Sequence, residues 1–212
     1  MTKTRFQIHY QIKSDFNSTL LESIKTLVKT GINGLVLNPG NYKITIEQGK
    51  QIAQICGENV DLIITDDLDF AKQINAKTVF LSTLDETMNN LADKYPNMRI
   101  GGGAQRLADC KNWELLDAAY IDFNPPRASL EEEKNPFILG AELYQAVIPK
   151  KVEYGWMILS LNTPVFASNL KSLSDLEELI NNTQITGIVI NDDFEPKLDL
   201  GNSIHNIRGM VK

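Results

Sequence analysis

The chain has 212 residues, 42% of them hydrophobic and 23% charged, with a formal net charge of −6 and a pI near 5.0. That composition is ordinary for a globular protein of one large domain or two small ones. The acidic balance, without any basic stripe, argues against nucleic acid as a partner, and no apolar run approaches the roughly 18 residues of a membrane span. The segment Met1–His9 carries no apolar signal core, and Cys56 and Cys110 lack CxxC spacing and read as small apolar groups. A cytoplasmic protein is expected.

Phe6 to Ile12 reads as a first strand. Ser18 then caps a helix whose apolar set Leu20, Leu21, Ile24, Leu27 and Val28 has helical spacing, closed by Gly31. Gly34 to Leu37 is a second strand, ending in Asn38-Pro39-Gly40, and Thr45 to Cys56 a helix with Ile46, Ile52, Ile55 and Cys56 inward. Val60 to Ile64 and Thr78 to Leu81 are the third and fourth strands, followed by helices over Leu68–Ile74 and Leu84–Lys94. Met98 to Gly101 is a fifth strand, running into a Gly101-Gly102-Gly103 loop and a helix near Gln105–Asn112. Ala119 to Phe123 is a sixth strand, ending at Asn124-Pro125-Pro126.

Arg127 to Leu161 yields no clear assignment. Glu131-Glu132-Glu133-Lys134 has the look of an exposed insertion, Pro149 interrupts any single helix over Leu139–Lys151, and a helix is expected within Val152–Leu161. Pro164 to Ala167 is a seventh strand, Ser172 or Ser174 caps a helix ending near Asn181, and Gly187 to Ile190 is an eighth strand before Asn191-Asp192-Asp193-Phe194. The tail supplies a last helix or covers the barrel. Eight β-rich runs alternating with helices imply a parallel sheet. Closure into a single (β/α)8 TIM barrel over residues 1–212 is the economical arrangement. An open doubly wound sheet is the competitor.

Asp66 and Asp85 follow two of the apolar runs, where residues of a barrel line the active-site mouth. Each is a candidate metal ligand and equally a candidate helix cap. Asp66, Asp67, Asp85, Asp122, Asp192 and Asp193 would gather at one barrel end, where like charges raise carboxylate pKa values or recruit cations unless they face solvent or meet Arg106, Arg127 or Lys43. The glycine run could cradle an anion with backbone donors, or serve only close packing. Asn38, Asn124 and Asn169 end three strands in similar positions, as hydrogen-bonding groups for a neutral ligand or as turn residues. His9 reads as a packed barrel residue, and Trp113 and Trp156 as helix-packing residues.

The order of these segments resembles the thiamine phosphate synthase and TenI family of small barrels. The family's strand-three pattern, close to Ile-Ile-Asn-Asp-Arg-x-Asp-x-Ala, is matched by Ile63-Ile64-Thr65-Asp66-Asp67-Leu68-Asp69-Phe70-Ala71. Its Gly-Val-His-Leu-Gly-Gln-x-Asp is matched by Thr78 to Asp85, its strand-five Ile-Gly-x-Ser by Ile100 to Gly103, and its Gly-Ala-Asp-Tyr-x-x-x-Gly-Pro by Asp117 to Pro125. The resemblance implies a transferase that joins a pyrimidine pyrophosphate to a thiazole phosphate. It also implies Mg2+ held at Asp66 and Asp85, and a substrate pocket lined by Asn38, Gly103, Asn124, Asn169 and Asp192 at the C-terminal mouth.

Several family positions differ here. The strand-two Gln-Leu-Arg-x-Lys becomes Val36-Leu37-Asn38-Pro39-Gly40, which removes both cations; the strand-seven Gly-Gly becomes Ser168-Asn169; and the strand-eight Ser becomes Asp192. Lys134 is a loose match for the Thr-x-Thr-Lys segment, and no histidine occupies the tautomerase position. An altered or lost synthase activity is therefore expected. The alternatives are an isomerase or lyase acting on a less anionic substrate through a carboxylate base, and a non-catalytic metabolite-binding barrel. Homo-oligomerisation stays open.

Overall fold

The computed structural model describes residues 5–84, 95–124, 161–194 and 200–211. Eight parallel strands close into a barrel in sequence order: β1 (Gln7–Gln11), β2 (Gly34–Leu37), β3 (Asp61–Thr65), β4 (Thr78–Leu81), β5 (Arg99–Ala104), β6 (Tyr120–Phe123), β7 (Val165–Ser168) and β8 (Gly187–Ile190), with β8 pairing back onto β1. The described helices are α1 (Ser18–Lys29), α2 (Pro39–Tyr42), α3 (Ile46–Cys56), α4 (Leu68–Gln73), α5 (Leu107–Leu115), α6 (Leu173–Asn182) and α7 (Leu200–Met210). The expected (β/α)8 barrel is the observed one. The strands expected over Gly34–Leu37, Thr78–Leu81 and Gly187–Ile190 have those bounds. The helix expected over Leu84–Lys94, and nearly all of the Arg127–Leu161 region, lie outside the described residues.

Three local expectations are corrected. Asn17, not Ser18, caps α1, its side chain accepting from Leu20 N, because Ser18 is already the first helical residue. Asn38-Pro39-Gly40 opens the short helix α2. Gly101-Gly102-Gly103 is part of β5, not a loop, and the physical reason lies in what surrounds it.

Strands buried on both faces split their side chains between two cores. Ile8 and Tyr10 of β1, Leu35 and Leu37 of β2, and Leu62 and Ile64 of β3 pack outward under the helices. Val36, Ile63, Tyr120, Phe166 and Val189 form a smaller core inside the barrel. Three interior rings each face a glycine directly opposite in the strand register: His9 and Gly34, Tyr120 and Gly101, Phe166 and Gly187. A Cβ on those glycines would stand 2.6, 2.3 and 2.7 Å from the respective rings. On the outer face, a Cβ on Gly102 would stand 2.1 Å from the Trp113 ring of α5, whose Nε1 donates to Gly103 O at 2.8 Å. The glycines of β5 are therefore strand residues that make room on both sides of the sheet.

Candidate functional site at the C-terminal mouth

Strand C-termini bring polar residues to one end of the barrel because each strand gives way there to a loop. A cavity of about 370 Å3 opens at this end, within the size range of small-molecule sites. Its lower wall is aromatic, from Phe80 and Tyr120, whose rings stack with centroids 6.3 Å apart. Its polar lining comes from Gln11, Lys13, Thr65, Ser82, Gln105, Asp122, Asn124, Ser168 and Asn169.

Two of these groups stand out. Asp122 Oδ1 and Thr65 Oγ1 are buried and have no hydrogen-bond partner. Such atoms are costly unless something supplies the missing bond. Burial pushes the Asp122 carboxyl up to about 7, and a hydrogen bond with Ser168 works in the opposite direction. At neutral pH this group can therefore both donate and accept a proton. Lys13 is the one Lys or Arg lining the cavity among the described residues, and it pairs with Asp193 at 3.3 Å.

Of the residues expected in the pocket, Gly103, Asn124 and Asn169 line it. Gly103 has no room for a side chain, since a Cβ would meet Ser82 O at 2.8 Å, so it contributes backbone only. Asn124 continues β6, its N–H donating to Ala104 O at 2.8 Å. Asn169 adopts a left-handed φ of 58°, a conformation that asparagine tolerates better than most residues. Asn38 is not in the lining; its Oδ1 caps α2 by accepting from Asn41 N at 3.0 Å. Asp192 is drawn aside by a hydrogen bond from the Tyr10 hydroxyl and lines a separate cavity of about 170 Å3 beside α1.

Asp66 sits at the end of β3 with a left-handed φ of 57°. Its carboxylate accepts from Ser82 N and Ser82 Oγ, each at 2.7 Å, clasping the ends of β3 and β4. The neighbouring Asp67, rather than Asp66, is the helix cap, accepting from Phe70 N at 2.8 Å. Asp85 lies outside the described residues. Among the described residues no group of three or more His, Cys, Asp or Glu side chains could hold a metal ion. A carboxylate has about four lone-pair sites, however, and Ser82 takes two of those on Asp66. Its chemistry thus still fits the one or two carboxylates that magnesium usually takes from a protein.

The described acids do not gather into one cluster. Asp66, Asp67, Asp192 and Asp193 each have a dedicated partner, and Asp122 alone turns a free buried oxygen to the cavity. Gln11 and Lys13 were not legible as lining residues, and Thr65 and Ser168 entered only as positions of the family pattern. Alternation along the strands was the available signal: Gln11 shares a face with His9, and Ser168 with Phe166. His9 is buried within the barrel, as expected of a packing residue, and Cys56 and Cys110 are free and buried, each thiol pushed up to about 12. No helix of the described residues is long and apolar enough to cross a membrane.

Residues 9–188 match the family model for thiamine monophosphate synthase. A thiamine phosphate pyrophosphorylase from Pyrococcus furiosus superposes with a TM-score of 0.72 at 16% identity, covering 98% of both chains. A structure described as native KDPGal gives 0.66 at 12% identity, over 99% of this chain and 94% of that one. A chain of a designed cube-shaped, highly porous protein cage gives 0.65 at 12% identity, over 98% and 71%. At these identities the structural likenesses speak for the barrel alone. Among curated proteins nothing matches.

Proposed function

The chain belongs to the thiamine monophosphate synthase family, and from that premise we propose that its C-terminal mouth binds and transforms a small substrate carrying less phosphate charge than the family's reaction partners. The observation that carries this reading is the buried Asp122 carboxyl with its free Oδ1 in the pocket wall. A polyanion brought beside it would meet repulsion or force the carboxyl to stay protonated. Cationic donors, which make strong charge-assisted bonds to phosphate, are reduced on the described wall to Lys13, already paired with Asp193.

If the synthase reaction persists, Asp66 and Asp85 are the residues that would hold magnesium, which supplies positive charge to a departing pyrophosphate. Thr65, Asn124 and Asn169 would then orient the ring partner in the cavity, and Phe80 and Tyr120 would exclude water beneath it. A direct assay with magnesium, the pyrimidine pyrophosphate and the thiazole phosphate separates the cases. The expected result is little or no thiamine phosphate from folded protein. Robust product formation, lost in Asp66→Ala, would overturn the reading.

A second reading is favoured by the same carboxyl: proton transfer of the isomerase or lyase kind, with Asp122 as the acid or base and Ser168 orienting it. A value near 7 suits that work at neutral pH. Once a substrate is in hand, Asp122→Asn should abolish turnover while leaving binding within a few-fold.

A further inference from the structure

The largest cavity among those described is not at the mouth. It lies at the opposite end of the barrel, about 810 Å3 in volume, and is bounded by the N-terminal ends of the strands and the loops before β3 and β4. Its inner end is formed by His9, Tyr120 and Phe166. The His9 ring centroid lies 4.7 Å from that of Phe166 and 5.6 Å from that of Tyr120, the latter edge-on. His9 is 4% exposed, and its Nδ1 has no hydrogen-bond partner. Its polar neighbours at this end are engaged. Asp61 accepts from the Thr78 hydroxyl and from Arg99, and Asn33 accepts from Ile8 N and Arg208.

We propose that this N-terminal cavity is a second small-molecule site, taking a neutral, planar, hydrogen-bonding ring that packs against Tyr120 and Phe166 at its inner end and bonds to His9 Nδ1. Neutrality follows from the charges at the rim, where Arg99 and Lys77 are balanced by Asp61 and Glu58. A cationic ligand would meet Arg99. A polyanion would have to displace Asp61, which Arg99 and Thr78 hold at 3.2 and 2.7 Å. A planar ring follows from the aromatic floor. The hydrogen-bonding edge follows from an imidazole nitrogen that nothing in the described chain satisfies. Burial and the charge of Arg99 pull the His9 pKa down to about 3, so the ring stays neutral and offers a neutral donor or acceptor at physiological pH. This site is independent of the reaction at the mouth, although Tyr120 lines both cavities and forms the partition between them.

Histidine NMR provides the test, because the chain has two histidines, His9 and the exposed His205. Uracil, phenol and nicotinamide serve as probes, titrated into the full chain. The expected result is a saturable shift of the His9 ring signals by at least one of them, with His205 unmoved. Affinity measured by ligand-observed NMR should fall at least tenfold in His9→Phe, which keeps a ring but removes its nitrogens. It should fall as far in Gln7→Trp, which fills the entrance and leaves the floor intact, and stay unchanged in Asn124→Ala at the mouth. Failure of all three probes to move His9, or a shift equally large in Gln7→Trp, would overturn the proposal and leave an ordered water as the partner of Nδ1.

Discussion

Single residues set opposing pH dependences. His9 is buried neutral with a pKa near 3 against 6.5 for the free side chain, so between those values the unfolded chain binds more protons and stability rises with pH. Asp122 is raised from 3.8 to about 7, so between those values the folded chain binds more protons and stability falls as pH rises. The two slopes largely offset one another from about pH 4 to pH 6.5. Asp122→Asn should therefore expose the acid sensitivity of His9. It should also raise stability at pH 8 by at most about 4 kcal/mol, since each pH step between the two carboxyl values contributes about 1.4 kcal/mol at most. His9→Phe should do the converse, with stability falling steadily from about pH 4 to pH 7. Urea unfolding at four pH values reads both slopes, and a flat profile in both variants would show that neither group titrates as its burial demands. Neither role was legible in the sequence. Asp122 was one of six acids, and only its burial with a free Oδ1 distinguishes it; its one hydrogen-bonding side chain, Ser168 on β7, is far away in the chain.

Elements were easier to read than residues, since a strand or an amphipathic helix carries its evidence locally. The clearest case is α6, whose Ser172 accepts from Asp175 N while Asp175 accepts from Ser172 N, a reciprocal cap at the start of a helix that buries Leu176 and Leu179. Ser172→Ala should cost about 1 kcal/mol, and Ser174→Ala much less, because the Ser174 hydroxyl bonds to that of Ser172 rather than to the backbone. Thermal unfolding of the two variants distinguishes them. The element that local sequence disguises is β5. Glycine runs ordinarily signal turns, and the reason these glycines lie in a strand is held by Tyr120 and Trp113, which the local sequence does not reveal. The short helix α2 is hidden for a related reason. Asn38-Pro39 is both a turn signal and a cap followed by proline at the first helical position, and the local sequence does not separate the two.

At the scale of the whole barrel, the interior is built from size complementarity between neighbouring strands, with a ring on one strand and a glycine opposite on the next. That design makes a testable claim about coupling. In the native chain, Gly101→Ala drives a methyl to within 2.3 Å of the Tyr120 ring, which is wedged against His9, Phe166 and Phe80 and cannot withdraw. Overpacking of this kind typically costs roughly 1–3 kcal/mol. Tyr120→Ala alone should cost about 3–5 kcal/mol, the usual range for emptying an aromatic site. In the Tyr120→Ala background the methyl at Gly101 has space, so its cost should vanish or reverse, giving a coupling energy of about 1–3 kcal/mol in a double-mutant cycle. Gly102→Ala is the internal control. Its clash, at 2.1 Å, is with Trp113 on the outer face, so Tyr120→Ala should leave its cost unchanged. Equal coupling for both glycines would mean that the two faces of β5 yield together, and the partition between the mouth and the N-terminal cavity would then be a property of the sheet rather than of Tyr120.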